Sequence, residues 1–240
     1  IACLVGSEMC IRDRYKKGWV NGRMYWGEGD YSVPDIDDYK DKMKLSGTNW
    51  GNTLFPNGNF NFHNYNSNKK YDLCGMFQYP QKEKVYEHKV CQTPHYNKCR
   101  KPVYDLINSN KYNACKLIDG KRIPHEEYLQ NMFNSKIIFS PYGYGAYGAP
   151  RDVQSAQFGS ILIKPRIDWV DTKPNMYVED ETYIACEQDF SDLEEKVDYV
   201  LSNFEELQPY LTENFRKRLL DVYNPIHLVK HTYDLFSELD

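Results

Sequence analysis

From Tyr71 onward, short apolar runs alternate with helix-opening signals, and this alternation most limits the folds open to the chain. Tyr71-Asp-Leu-Cys-Gly-Met-Phe77 suits a buried strand. Thr93-Pro94 then supplies an N-cap and a proline for the first helical position, opening a helix that continues through Val103, Leu106 and Ile107. Asn113 to Ile118 reads as a second strand, closed by Asp119-Gly120. Pro124 starts a helix to Asn134 with Tyr128, Leu129 and Met132 facing inward. Lys136 to Ser140 is a third strand, Ser160 to Lys164 a fourth and Thr182 to Cys186 a fifth. Between the third and fourth, Pro150 opens a helix that Gly159 ends. Strands separated by helices of this length imply parallel pairing with right-handed crossovers, which is a doubly wound parallel α/β sheet.

The end of the chain is helical in pattern. Ser191-Asp-Leu-Glu194 has the form of a capping box, and Leu193, Val197, Val200 and Phe204 follow at helical spacing. Pro209 is expected to begin a further helix carrying Leu211, Phe215 and Leu219, and a last one covers His227 to Leu239. These helices are expected to pack across the sheet or back onto a preceding domain.

Ahead of Tyr71 the text differs. Cys3-Leu-Val-Gly-Ser-Glu-Met-Cys-Ile-Arg-Asp-Arg14 resembles the in-frame translation of a sequencing adapter, so residues 1–14 are set aside and the chain is expected to have been cut before Tyr15. Residues 15–70 are rich in Asn, Gly, Trp and Tyr with little periodicity, and read as irregular structure with short strands, the remainder of an earlier domain plus a linker. Residues 71–240 form the α/β domain. Asp35-Ile-Asp-Asp38 has the outline of a metal-holding DxD, but a solvated acidic turn before a short helix accounts for it better.

Composition narrows the function classes. A net charge of -4 lacks the basic excess that broad nucleic-acid binding needs. No apolar run is long enough to cross a bilayer, and Glu8 and Arg12 interrupt the start too early for a signal peptide. Seven cysteines less Cys3 and Cys10 leave an odd five, none in a CxxC, which fits reduced thiols and a cytoplasmic setting. Cys74, Cys115 and Cys186 lie in apolar runs and read as core residues. The spacing of His88, Cys91, His95 and Cys99 matches no established zinc pattern, so no metal is expected.

In an open parallel sheet, ligands sit beyond the carboxyl ends of the strands. Two loops qualify. Ser140 to Gln154 follows a strand, carries Gly143, Gly145 and Gly148, and runs into a helix start beside Arg151. Glycines allow close backbone approach, the helix start offers free N–H groups, and arginine presents a fork matched to phosphate oxygens. That is a diphosphate cradle, set against an ordinary turn beside a surface arginine. The second loop, Tyr79 to Gln92, holds Glu87 and His88, with Arg100 on the next helix. These either contact phosphate, act as acid and base, or are structural. Lys164, at the end of its strand, either reaches the ligand or is solvated.

Three stretches then form a recognisable order: Tyr128-Leu-Gln-Asn-Met-Phe-Asn-Ser-Lys-Ile-Ile-Phe-Ser-Pro-Tyr-Gly-Tyr-Gly145, Arg151-Asp-Val-Gln-Ser-Ala-Gln-Phe-Gly-Ser-Ile-Leu-Ile-Lys-Pro165, and Cys186-Glu-Gln-Asp-Phe-Ser-Asp-Leu-Glu-Glu-Lys-Val197. They resemble the Rossmann-like C-terminal, donor-binding domain of GT-B glycosyltransferases of the group-1-like and exostosin-like lineages. The resemblance implies transfer of a sugar from a nucleotide diphosphate sugar to an acceptor (glycan, lipid or protein), with no cofactor and no bound metal. By position, Arg151 is the residue that neutralises the diphosphate leaving group, and Gly143, Tyr144 and Gly145 lie against the donor. The family's ribose-holding acidic residue falls at Gln154, its following alanine at Ser155, and a second acidic position at Ala146. Those departures motivate an alternative, a non-catalytic relative that binds a nucleotide or glycan. An unrelated hydrolase is disfavoured, because neither a GxSxG elbow nor a Walker motif is present.

Overall fold

The computed structural model describes residues 62–77, 94–116, 123–141, 150–166 and 175–224, together with residues 19–20, 23–24, 226–227, 229–230 and 233. Near the amino end β1 (Trp19–Val20) and β2 (Arg23–Met24) form a two-residue antiparallel ladder. The main body is a five-stranded sheet built from β3 (Tyr71–Gly75), β4 (Ala114–Lys116), β5 (Ser135–Phe139), β6 (Ile161–Pro165) and β7 (Ile184–Cys186). Every pairing in it is parallel, as the alternating pattern requires.

The order across the sheet is β4-β3-β5-β6-β7. The chain therefore steps outward from β3 to β4, returns past β3 to β5, and then advances the other way. Strand order reverses between β3 and β5, which is the switch point of a doubly wound sheet. Ile137, Ile138 and Phe139 in β5 and Ile161, Leu162 and Ile163 in β6 are all buried, so neither strand alternates. A parallel strand covered on both faces has no polar side to offer, which is why these runs are continuously apolar.

Among the described residues, five helices supply the cover: α1 (Pro94–Asn108), α2 (His125–Phe133), α3 (Pro150–Phe158), α4 (Leu193–Ser202) and α5 (Phe204–Val222). α1 packs with α4, α2 with α3 and α3 with α5, and the consecutive helices α4 and α5 also touch. The inward residues are those the periodicity picks out: Met132 on α2, Leu193, Val197 and Val200 on α4, and Leu211, Phe215 and Leu219 on α5. Cys74, Cys115 and Cys186 are free, buried thiols. Burial pushes the Cys186 thiol well up from its ordinary value.

Three local expectations need correction. Pro209 does not open its helix; α5 begins at Phe204 and Pro209 lies inside it. The amide of Leu207 donates to the carbonyl of Asn203 at 2.9 Å, so the helix is wound before the proline, whose ring forfeits only its own backbone donor. The capping box at Ser191 does not form. Asp192 occupies the N-cap position without a side-chain cap, and its Oδ1 accepts instead from the Glu187 amide at 2.8 Å. Glu194 meanwhile pairs with Lys111 at 2.6 Å. Pro124 sits at the N-cap of α2 rather than at its first helical position.

The carboxyl end of α3 is closed with unusual completeness. Gly159 takes φ +66, Ser160 N–H donates to the Ser155 carbonyl at 2.9 Å and Gly159 N–H to the Ala156 carbonyl at 3.4 Å, a Schellman closure. Around it, Arg216 Nε donates to the Ala156 carbonyl at 2.8 Å, Gln208 to the Gly159 carbonyl at 2.6 Å, and Lys69 Nζ to the Phe158 carbonyl at 2.8 Å. Residues 62–70 are thereby held against α3 and α5. With that end tied down, the amino end of α3 is fixed relative to the sheet.

Candidate functional site at the switch point

The carboxyl ends of β3 and β5 flank the reversal in strand order, and the two loops singled out in the sequence leave from those two ends. One connects Phe77 to α1. The other connects Pro141 to α3 and carries the glycines. Residues 78–93 and 142–149 lie outside the described residues, so Glu87, His88, Gly143, Tyr144, Gly145 and Ala146 do too. The frame around them is informative on its own.

Arg100 lies on α1, is 6% exposed, and has its guanidinium carbon 5.6 Å from the centre of the Phe77 ring. It therefore stands at the carboxyl end of β3. Arg151 is the second residue of α3 and is partly exposed. The first turn of any helix has backbone N–H groups without intrahelical partners and carries a partial positive charge. Arg151 thus adds a full charge to an end already suited to anions. Its cation also acts on Tyr128 of α2, where it opposes the rise in the hydroxyl pKa that burial produces.

Two buried polar atoms border the glycine-bearing connection. Ser140 Oγ follows β5 and has no hydrogen-bond partner among the described residues, although the Ser140 amide donates to the Ile163 carbonyl at 3.0 Å. Gln154 is 8% exposed, and its Oε1 likewise has none among the described residues. Buried polar atoms are nearly always satisfied by protein, water or ligand. Gln154 is the position at which the resemblance puts a ribose contact; Ser140 marks only the start of the glycine-bearing loop.

Other residues are committed elsewhere. Ser155 Oγ is fully buried and donates to the Asp152 carbonyl at 2.6 Å. Lys164 is not solvated at its strand end: it is 2% exposed and its Nζ lies 3.2 Å from Asp152 Oδ2. Tyr177 donates its hydroxyl to the same oxygen at 2.5 Å. Sequence reasoning missed Asp152 and Tyr177. The adjacent acid and base at Arg151-Asp152 gave a faint signal for the first, and nothing local marked the second. No family model, curated protein or solved structure matches the chain. Among the described residues no group of three or more His, Cys, Asp or Glu side chains could hold a metal ion, and no helix is long and apolar enough to cross a membrane.

What the frame can do chemically follows from its charge. It has a helix start, one partly exposed arginine and one buried arginine at neighbouring strand ends, with two neutral polar atoms that have no partner among the described residues beside them. A helix start with an arginine is suited to an anion.

Proposed function

We propose that residues 71–240 bind a nucleotide diphosphate sugar at the switch point and act as the donor half of a GT-B-like glycosyltransferase. The observation that carries the reading is Arg151 in the first turn of α3, following the carboxyl end of β5 at the reversal in strand order. The resemblance between residues 128 and 197 and donor-binding domains supports it.

In this reaction the bond from the anomeric carbon to the diphosphate oxygen breaks as the acceptor oxygen bonds to that carbon. The acceptor's proton passes to a base, a role that neither the donor-only guanidinium of Arg151 nor the amide of Gln154 can fill. Negative charge grows on the departing diphosphate. In this reading Arg151 and the free N–H groups at the start of α3 supply the compensating positive charge, which lowers the barrier. Gln154 exchanges hydrogen bonds with ribose hydroxyls, accepting through Oε1 and donating through its amide nitrogen.

The neutral Gln154 and Ala146, where related domains have acids, favour a second reading in which the domain binds nucleotide or glycan without turnover. The transferase reading and the nucleotide-binding form of the second both require a nucleotide site. Thermal unfolding of the chain with UDP, GDP, ADP or CMP tests it: a ligand at about 100 times its dissociation constant adds about 2.7 kcal/mol. The nucleotide site, and the transferase reading with it, falls if no nucleotide raises the midpoint of a cooperative transition, or if Arg151→Ala binds as tightly as the parent. Release of nucleotide diphosphate from a matching nucleotide sugar, by the domain joined to an acceptor-binding half once binding is found, separates the transferase from the silent relative.

A further inference from the structure

Asp152, Lys164 and Tyr177 form a buried polar cluster immediately behind Arg151, and donor binding alone gives it no task. The three come from α3, β6 and the segment leading to β7, and are 0%, 2% and 4% exposed. Asp152 Oδ2 receives the Tyr177 hydroxyl at 2.5 Å and faces Lys164 Nζ at 3.2 Å, while Nζ lies 5.3 Å from the Tyr177 ring centre.

An aspartate in the first turn of a helix ordinarily faces solvent, where its charge complements the free N–H groups. This one is turned into the protein. Left without a cation, it would be a buried negative charge next to the end of α3 that must receive an anion. A buried charge is tolerated when it is paired and hydrogen-bonded. We infer that Lys164 is a positioning residue for the proposed anion site: it neutralises Asp152 and, with Tyr177, locks the first turn of α3 so that Arg151 and the helix N–H groups face a diphosphate. This rests on the donor-binding reading for the identity of the anion, but not for the locking of α3.

The test is a charge-reversible pair of substitutions in the full chain, with two readouts. The first is hydrogen exchange at Gln154 and Ser155, the first amides bonded within α3, compared with amides of α4. The second is affinity for inorganic pyrophosphate. Lys164→Met should speed exchange at Gln154 and Ser155 at least tenfold with α4 unchanged, and weaken pyrophosphate about tenfold by leaving the Asp152 charge uncompensated. Adding Asp152→Asn should restore most of both, which mere loss of packing would not do. Tyr177→Phe, the mildest change, should give a smaller effect of the same kind and keeps the test open if Lys164→Met fails to fold. Unchanged exchange in both single variants, or no restoration in the double variant, would overturn the inference. Altered exchange in a chain that never binds pyrophosphate or nucleotide would leave the locking of α3 standing and sink the donor reading instead.

Discussion

Gly75, the last residue of β3, lies against Ile107 of α1 so closely that a Cβ there would stand 3.0 Å from Ile107 Cγ2 and 3.2 Å from Cγ1, and nearer still to Cδ1. Ile107 is itself 4% exposed, so any shift it makes is into packed surroundings. The distance between β3 and the first crossover helix is thus set by a missing side chain. Gly75→Ala should destabilise the domain by about 1–3 kcal/mol through overpacking. Denaturant midpoints would measure it. Shortening Ile107 to Ala should cost less in the Gly75→Ala background than in the parent. Additive costs would show that some other contact sets the spacing.

Gly159 shows the opposite limit, with space but the wrong backbone. A Cβ there would meet its neighbours at 3.5 Å or more, ordinary contact distance, yet φ is +66. The expected cost of Gly159→Ala is therefore conformational alone, about 1–2 kcal/mol. Asn tolerates the left-handed region better than Ala, so Gly159→Asn should cost less. An Asn variant as unstable as the Ala variant would mean that space, not φ, is limiting.

Arg216 joins three pieces of backbone. It donates to the carbonyls of Ala156 at 2.8 Å, His63 at 2.6 Å and Gln157 at 3.2 Å, and its guanidinium lies 4.7 Å from the Tyr65 ring centre. Lysine keeps the charge but has no planar fork to serve several carbonyls at once. Arg216→Lys and Arg216→Met should both lose about 2–4 kcal/mol by leaving buried carbonyls unpaired. In either variant, residues 62–70 should become cleavable by protease before the sheet does. Simultaneous loss of both would mean that the segment and the sheet unfold as one unit.

Much of the fold was legible because its signals are local. Pro150 and Gly159 bracket α3 since one lacks a donor that the first turn does not need and the other accepts a backbone that its neighbours resist. Runs such as Ile161-Leu-Ile163 show their burial by having no polar side. The start of α5 was missed because Pro209 is a permissive signal, while the hydrophobic face from Phe204 onward is the stronger one. At the candidate site, the sequence marks Arg151 by its place at a helix start after the glycine loop, and Gln154 only by position in the resemblance. The pairing of Lys164 and Tyr177 with Asp152 was not visible, since it exists only once β6 has been laid beside β5.

Lys69 gives the chain a testable dependence on pH. It is 7% exposed and donates to the carbonyls of Phe133 at 2.5 Å and Phe158 at 2.8 Å, at the carboxyl ends of α2 and α3. Burial, with the Arg216 cation adding to it, pulls the ammonium down from 10.5 to about 8. Between about 8 and 10.5 the unfolded chain holds a proton that the folded chain has released. Stability owed to this residue should therefore be lowest and flat below pH 8 and rise with pH across that window. Lys69→Met removes the titration and both hydrogen bonds, so it should cost about 1–3 kcal/mol at pH 7. The gap between parent and variant should widen from about pH 7.5 to about pH 9.5, a range that spans the folded-state value of about 8. Chemical unfolding of the two proteins side by side cancels the tyrosines and surface lysines that titrate nearby. A gap that narrows with pH would mean that two carbonyls at helix ends hold the cation more firmly than burial expels it.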